Sequence, residues 1–528
     1  MNLRTFRSAM SVFLLVSLSS GLIASEWHVA PPPVGDDSNP GTKALPFATV
    51  QRGIEAASDG DTVIVAQGTY VENIRFNGKN ITLTSTDPLD RRVVKYTIID
   101  GNKAGSVVRF SGTETEGCVL SGFTIRNGDA LDGGGILGGT YPDYTHATIQ
   151  NNTIAGNSAR YYGGGLFLCD GTIQSNTITG NSAEYGGGPY FCAGTIQSNT
   201  ITGNTAKSGG GGLYACPGTI QNNTIAGNSA QWGGGLHECN GTIQNNTITG
   251  NSATSSGGGL AYCDATIHNN TITGNTAQRG GGLGSCNGTI ENNTITGNSA
   301  AYYGSGPFYY GGGLYDCNGA IQNNTITGNS ATTSGGGLFY CNGTIRNSII
   351  WANTAPRGPQ VYDSSIPTYS CIQDWTEGGE GNITTEPLFF DPLNMNFRLR
   401  PLSPCIDVGF ADPTLPPSDN AGMHRVMYGG KGLTVDMGAW EYYVNTLSRE
   451  LGGNAVLTWS SLAGKTYWVL TSSDMLTWET AAETVPSLGD TTTTWTDTTS
   501  PFLSPSVRTR YYRTLERRKI PVKPAGAG

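Results

Sequence analysis

Between residues 148 and 345 one unit recurs eight times, and a chain written this way has few folds open to it. A copy such as Gly241-Thr-Ile-Gln-Asn-Asn-Thr-Ile-Thr-Gly-Asn-Ser-Ala-Thr-Ser-Ser-Gly-Gly-Gly-Leu-Ala-Tyr-Cys263 returns with small changes from Ala147 to Cys341. Cysteines 169, 192, 216, 239, 263, 286, 317 and 341 lie 23, 24, 23, 24, 23, 31 and 24 residues apart, so one copy carries an insertion. A fixed period in this range is the signature of a solenoid, in which each repeat buries its apolar face only against its neighbours.

Within a unit the apolar residues are short and isolated: Ile243, Ile248 and Leu260 stand among Asn, Gly, Ser and Thr. Nothing recurs at helical spacing, whereas Gly-Thr-Ile-Gln and Thr-Ile-Thr alternate as brief strands do, which predicts three short strands per turn. Stacked parallel strands put each residue above its counterpart one repeat earlier. The Asn before each Thr (Asn152, Asn176, Asn199, Asn223, Asn246, Asn270, Asn293, Asn324) then forms an inward amide ladder, since buried amides need partners. Gly-Gly-Gly before the Leu, and the Asn-Gly or Asp-Gly after the Cys, are expected to supply positive φ at the corners.

The Asn-Asn-Thr-Ile-Thr-Gly-Asn unit with its Gly-rich return resembles the right-handed parallel β-helix, or pectate-lyase-like, superfamily of secreted proteins. The Gly-Asn-Ser-Ala and Gly-Gly-Gly-Leu phrases are also similar to repeats of β-helical bacterial surface proteins. The resemblance spans about residues 26–443. It implies a fold and leaves the activity open, because many activities share that fold.

The flanks fit the same architecture. Residues 47–58 read as a short amphipathic helix, with Thr49 as N-cap and Val50, Ile54 and Ala57 on one face. Such a helix closes a coil whose last rung would otherwise expose unpaired strand edges. Irregular first coils are expected at Thr62–Ala66, Ile81–Leu83, Thr97–Ile99, Val107–Phe110 and Phe123–Ile125. The stretch from Asp36 through Gly68-Thr-Tyr is similar to the opening of many secreted β-helix proteins, some of them polysaccharide lyases. Ser403-Pro-Cys-Ile-Asp and Asp436-Met-Gly-Ala-Trp-Glu resemble closing coils. From Thr446 to 516 alternating Thr, Trp and Tyr predict a small β-sandwich resembling fibronectin type III modules, and residues 517–528 read as a disordered tail.

Arg4 and Arg7 before the apolar run Met10–Leu18, and small residues around Ala24, form a secretory signal peptide over residues 1–25. No later stretch reaches the 18 apolar residues of a membrane helix. The expected product is exported, soluble or surface-associated, monomeric and not membrane-spanning. Of 528 residues 77 are Gly, 13% are charged, and the formal charge is −9; that acidic balance excludes nucleic acid as a natural partner. Eight of the eleven cysteines recur once per repeat, predicting a column of buried thiols, and Cys371 and Cys405 are the better disulfide candidates. No His or carboxylate repeats with the cysteines, so no metal column is expected.

Polysaccharide-cutting enzymes of this fold class need clustered carboxylates, or a carboxylate-held metal with a Lys or Arg base. Residues 148–345 carry only nine formal charges: Arg160, Asp170, Glu184, Lys207, Glu238, Asp264, Arg279, Glu291 and Asp316. Arg160, Glu184 and Lys207 share one slot and can align as a solvated ion ladder, and His237 stands alone after its Gly-rich return. The aromatics of the segment after Asn-Ser-Ala carry more: Tyr161, Tyr162, Tyr185, Trp232, Tyr302 and Tyr303, joined by Phe308, Tyr309 and Tyr310 of the insertion. Stacked rungs gather them along one edge, where rings either meet the apolar faces of sugars or fold over the backbone as a shield. The Thr-Ile-Thr pairs (Thr177/Thr179, Thr200/Thr202, Thr247/Thr249, Thr271/Thr273, Thr294/Thr296, Thr325/Thr327) would face out about 7 Å apart along the strand and about 4.8 Å between rungs. That array resembles ice-binding β-solenoids, and Thr is also an ordinary outward strand residue.

The sequence therefore predicts an all-β chain: a capped right-handed parallel β-helix solenoid followed by a small β-sandwich. Its expected role is non-catalytic binding of a polysaccharide, cell-surface glycan or surface partner through the aromatic edge, without a cofactor. The alternatives are a polysaccharide lyase or glycoside hydrolase, using calcium or acid/base groups at Asp129, Asp132 and Asp143, and an ice-binding Thr face.

Overall fold

In the computed structural model residues 24–301 and 310–400 are described continuously, followed by shorter stretches ending at Glu516. Residues 1–23 of the expected leader, Tyr302, Tyr303, Phe308 and Tyr309 of the insertion, and the tail from 517 lie outside the described residues.

The chain winds as a right-handed parallel β-helix, with four strands per regular coil rather than three. One coil supplies Thr172–Gln174, Thr177–Thr179, Ser182–Tyr185 and Pro189–Tyr190. Their equivalents stack into sheets of 13, 13, 9 and 12 strands, called here the Gln, Thr, Ala and aromatic sheets after an outward or core residue of each. The Ala sheet is the one the pattern hid. Its inward residue is only Ala183 or an equivalent, buried in every coil, and its outward residues vary, so alternation is faint although the backbone is fully paired.

Four sheets need four corners, and each coil turns them with a left-handed residue: Ser175, Gly180, Gly186 and Phe191 have φ of +55°, +61°, +67° and +49°. The Gly of the Asn-Gly or Asp-Gly that follows the Cys does not serve this way. A Cβ on Gly241 would lie 2.1 Å from the Gly218 carbonyl oxygen, so that glycine answers to close stacking of coils, and the left-handed residue is the one before the Cys. Because that residue projects outward, Phe191, Tyr262 and Tyr340 are exposed.

The interior is a set of columns. Ile173, Ile178 and Cys192 and their equivalents are buried throughout. The predicted amide column is present: the Asn246 side-chain N–H donates to the Ile220 carbonyl at 2.8 Å and to Asn270 Oδ1 at 3.1 Å, while its own Oδ1 accepts from the Asn223 amide at 2.9 Å. A second column runs beside it. Asn228 bonds Ile201 and Asn251 in the same manner, and Asn157, Asn181, Asn204, Asn275, Asn298 and Asn329 continue it, all buried.

All eleven thiols are free and buried. In the column each S–H points to a carbonyl two residues earlier, Cys216 to Tyr214 at 3.4 Å for example, and burial holds Cys216 and Cys263 well above the usual thiol range. Cys371 and Cys405, expected as disulfide partners, sit together as free thiols in one cluster with Ile349, Leu399 and Met437. Native protein should leave all eleven thiols unreacted toward Ellman's reagent until it is unfolded; rapid labelling of the folded chain would contradict a closed interior.

The helix Val50–Ala56 caps the first coil with Val50, Gly53 and Ile54 buried. Thr49 Oγ1 accepts from the Arg52 amide at 3.3 Å, and the Glu72 carboxylate takes the Val50 and Gln51 amides at 2.9 Å each, which satisfies the orphan donors of a helix start. At the other end, Met395, Asn420, Gly438 and Ala439 lie against the Thr sheet. Asn420 reaches Thr294 Oγ1 at 3.4 Å and the Ala439 amide reaches Thr325 Oγ1 at 3.1 Å. Thr294, Thr296, Thr325 and Thr327 are consequently buried, and the expected open Thr array stops short of them. Beyond Thr446, strands Thr446–Arg449, Ala455–Ser460 and Thr492–Asp497 form one antiparallel sheet, and Thr466–Ser472, Glu479–Pro486 and Tyr511–Glu516 another.

Candidate functional site

The aromatic sheet is the face on which chemistry-bearing side chains collect. Register places Arg109, Leu137, Phe167, Tyr190, Tyr214, His237, Ala261, Gly284, Tyr315, Phe339 and Tyr362 in one outward row. Across the Gly-rich corner a second row, from the ends of the Ala-sheet strands, runs Asp132, Tyr162, Tyr185, Gly209, Trp232, Ser256, Arg279, Tyr310. The two rows lean together. Tyr162 lies 4.7 Å from Tyr190, Tyr185 5.5 Å from Tyr214, and Trp232 6.4 Å from His237, measured between ring centroids. Along the sheet Tyr190 and Tyr214 stack at 5.1 Å and only 4°. These separations are those of favourable ring pairs.

The predicted edge residues thus divide. Tyr162, Tyr185 and Trp232 enter the ladder, and Tyr161 stays more exposed under the Arg160 guanidinium, 5.2 Å from its ring. Tyr310 stacks on Phe339 at 4.4 Å. The variable segment is a paired strand end, not a loop, and its rings pack on a second row that the sequence reading passed over. The signal was present: five of the eight repeats place Phe or Tyr two residues before the Cys, namely Phe167, Tyr190, Tyr214, Tyr315 and Phe339. His237 belongs to that row, buried between Tyr214 at 4.9 Å and Tyr262 at 5.5 Å, and burial lowers its pKa. Beside it, Tyr214 donates to Glu238 at 3.1 Å. Of the expected ion ladder, Lys207 and Glu184 pair at 3.8 Å with the lysine largely exposed, a contact of little energetic weight.

At the N-terminal end the row opens into a cleft of about 1080 Å³. Its outer wall is an antiparallel hairpin, Gly139–Thr140 with Asp143–Tyr144, that interrupts the first regular coil. Tyr141 and Tyr144 stand on it, Phe167 and Tyr190 lie on the floor, and Lys103, Arg109, Arg160, Asp129 and Asp132 add charge. Tyr144 meets Phe191 edge-on at 6.2 Å, which ties the hairpin to the ladder. Asp129 and Asp132, suggested as alternative catalytic groups, therefore share this cleft; Asp143 sits in the hairpin with its carbonyl against Gly112. Burial raises the pKa of Asp132, whose Oδ1 is enclosed without a hydrogen bond. Burial also pushes the Tyr190 hydroxyl up to about 12. Among the described residues, no three His, Cys, Asp or Glu side chains are grouped to hold a metal ion.

A family model described as the right handed beta helix region matches residues 216–371, and one described as a protein of unknown function (DUF1565) matches residues 34–78. No curated protein matches the chain. Among solved structures, the pectate lyase Pel9A is 13% identical over 80% of this chain and 97% of its own, with a TM-score of 0.33. XylC in complex with xylose is 11% identical over 89% and 100%, with a TM-score of 0.40, and a rhamnogalacturonan lyase is 13% identical over 70% and 91%, with a TM-score of 0.24.

Proposed function

We propose that this chain is exported and, as a monomer, binds an extracellular polysaccharide along the aromatic sheet without cutting it. One observation carries the reading: the continuous run of ring contacts from the cleft through Tyr162, Phe167, Tyr190 and Tyr214 to His237 and Trp232, stacked except where Tyr214 meets His237 edge-on. Pyranose rings offer C–H faces that pack on such rings, and their rim hydroxyls reach the Tyr, Arg and Asp groups of the cleft. Regular rungs with so few charges supply little acid/base chemistry along the rest of the groove.

The test is co-sedimentation of the mature protein with acidic and neutral polysaccharides, with and without calcium, while product release is followed. Retention without new reducing ends or unsaturated products is expected. Trp232→Ala should weaken retention about tenfold, in line with losing one aromatic anchor, and leave the unfolding transition in place. Unchanged retention would remove the ladder from the binding surface.

A second reading rests on Asp132. A carboxyl whose pKa is raised by burial, in a cleft shared with Asp129 and Arg160, has the character of a general acid. Turnover abolished by Asp132→Asn would replace binding by glycosidic cleavage as the function.

A further inference from the structure

The groove does not end at the cleft. Its outward row runs on through Arg109 to Arg75, which stand in register on adjacent parallel strands, about 4.8 Å apart at Cα. In later coils the same slot holds Leu137, Phe167 and Tyr190, so packing of the coil does not call for a cation there. Both arginines line a second pocket of about 240 Å³ together with Asn77, Ser111 and Thr140, and this pocket shares Arg109, Leu137 and Thr140 with the cleft.

Like charges set opposite each other on neighbouring strands repel, and the chain supplies nothing to relieve them. Among the described residues neither guanidinium makes an ion pair. Glu72 and Glu114, each three residues from a member of this pocket, are committed to the backbone. Glu72 takes the Val50 and Gln51 amides, and the fully buried Glu114 takes those of Gly78, Ser111 and Gly112 at 2.8–3.0 Å. Asp129 and Asp132 line the cleft but not this pocket. The Arg75 backbone is pinned as well: its amide donates to Gln51 Oε1 at 2.8 Å and its carbonyl accepts from Gln51 Nε2 at 3.4 Å. On a chain of formal charge −9, a fixed pair of uncompensated cations calls for an anion from outside.

The donors available decide which anion. One guanidinium fork satisfies the two oxygens of a carboxylate, whereas a sulfate ester offers three free oxygens and takes two forks at once, with Asn77, Ser111 and Thr140 as neutral partners. Resting on the reading of the groove as a polysaccharide site, we infer that the Arg75 and Arg109 pocket is a sulfate subsite, so that the polysaccharide is a sulfated one. Its sugar rings stack on the ladder from Phe167 onward, and a sulfate ester on a sugar beyond the cleft settles between the two guanidiniums.

Arg75→Gln tests this, because Arg75 lies outside the ring ladder. The probes share one backbone: cellulose sulfate, carboxymethyl cellulose and hydroxyethyl cellulose, each cast into native gels that retard a binding protein, with mobility referred to a gel without polysaccharide. The wild type should be retarded most by cellulose sulfate. R75Q should weaken that retention about tenfold, the share of one charge-assisted fork, and leave hydroxyethyl cellulose unchanged. Lys95→Gln, which removes the same charge from the helix Arg91–Tyr96 beside the Thr sheet, should change neither. Equal weakening in R75Q and K95Q, or none in R75Q, overturns the subsite while leaving the groove intact. Carboxymethyl cellulose held as tightly as cellulose sulfate, and weakened as much by R75Q, overturns sulfate as the occupant. Retention of cellulose sulfate that falls in R75Q but not in Trp232→Ala would instead keep the pocket and sink the groove reading.

Discussion

Asn246→Leu is expected to destabilise the helix by about 3–6 kcal/mol although leucine matches asparagine closely in size. The substitution leaves two groups enclosed in the neighbouring coil unpaired, the Asn223 amide and the Ile220 carbonyl, and takes from Asn270 Oδ1 one of its two donors, the other being the Asn246 backbone amide. An enclosed polar group left unpaired costs about 1–3 kcal/mol. Limited proteolysis and denaturant unfolding read the effect, with early cleavage near residues 220–270. The control is Gln244, whose side chain bonds Gln221 at 2.7 Å on the half-exposed outer row. Gln244→Leu should cost under about 1 kcal/mol because water replaces the partner. Equal effects at the two sites would mean that the inner column contributes no more than the outer one.

Gly258→Ala should be of comparable severity, about 3–5 kcal/mol, for a different reason. Its Cβ would lie 2.5 Å from the Gly281 carbonyl oxygen and 2.6 Å from the Thr276 amide nitrogen, both backbone atoms of the next coil. No rotamer relieves such a clash, so the coils must separate and the Gly258 amide loses its bond to the Gly280 carbonyl. Gly250→Ala separates crowding from backbone conformation. Gly250 has φ of +61° and open space around its Cβ position, so alanine there should cost only about 1–2 kcal/mol of left-handed strain. Reversal of that order in thermal unfolding would contradict the assignment of the two glycines.

The parts of this architecture that were legible are those where side-chain identity reports burial directly. Ile243, Ile248 and Leu260 stand out among polar residues and glycines, so three of the four strands per coil were legible, and Thr49 with the apolar face of Val50–Ala56 marked the cap. The Ala sheet was hidden because Ala253 is too small to signal an inward position and Thr254 and Ser255 point to solvent. Asn251 is as buried as Asn246, which its setting does not announce: a Gly-Asn-Ser phrase reads the same whether its amide faces water or a neighbouring coil. The Thr face looked open throughout since nothing in Thr294-Ile-Thr announces that Asn420 and Ala439 come to cover it. At the site, half of the ladder was found. Tyr162, Tyr185 and Trp232 were visible as an aromatic edge, but pairing them with Phe167, Tyr190 and Tyr214 required the four-sheet cross-section, which brings residues five or more positions apart side by side around the Gly-rich corner.

The amide columns carry one further consequence. Every coil offers upward and downward the same hydrogen-bonding surface, Asn228 relating to Asn204 as Asn251 does to Asn228. A coil can therefore be lost or duplicated whole without leaving a mismatched seam, whereas a change of a few residues within a paired strand breaks every column at once. Length in such a gene product is quantised: the reach of its groove changes in steps of one rung, by recombination between near-identical segments, and not by gradual extension.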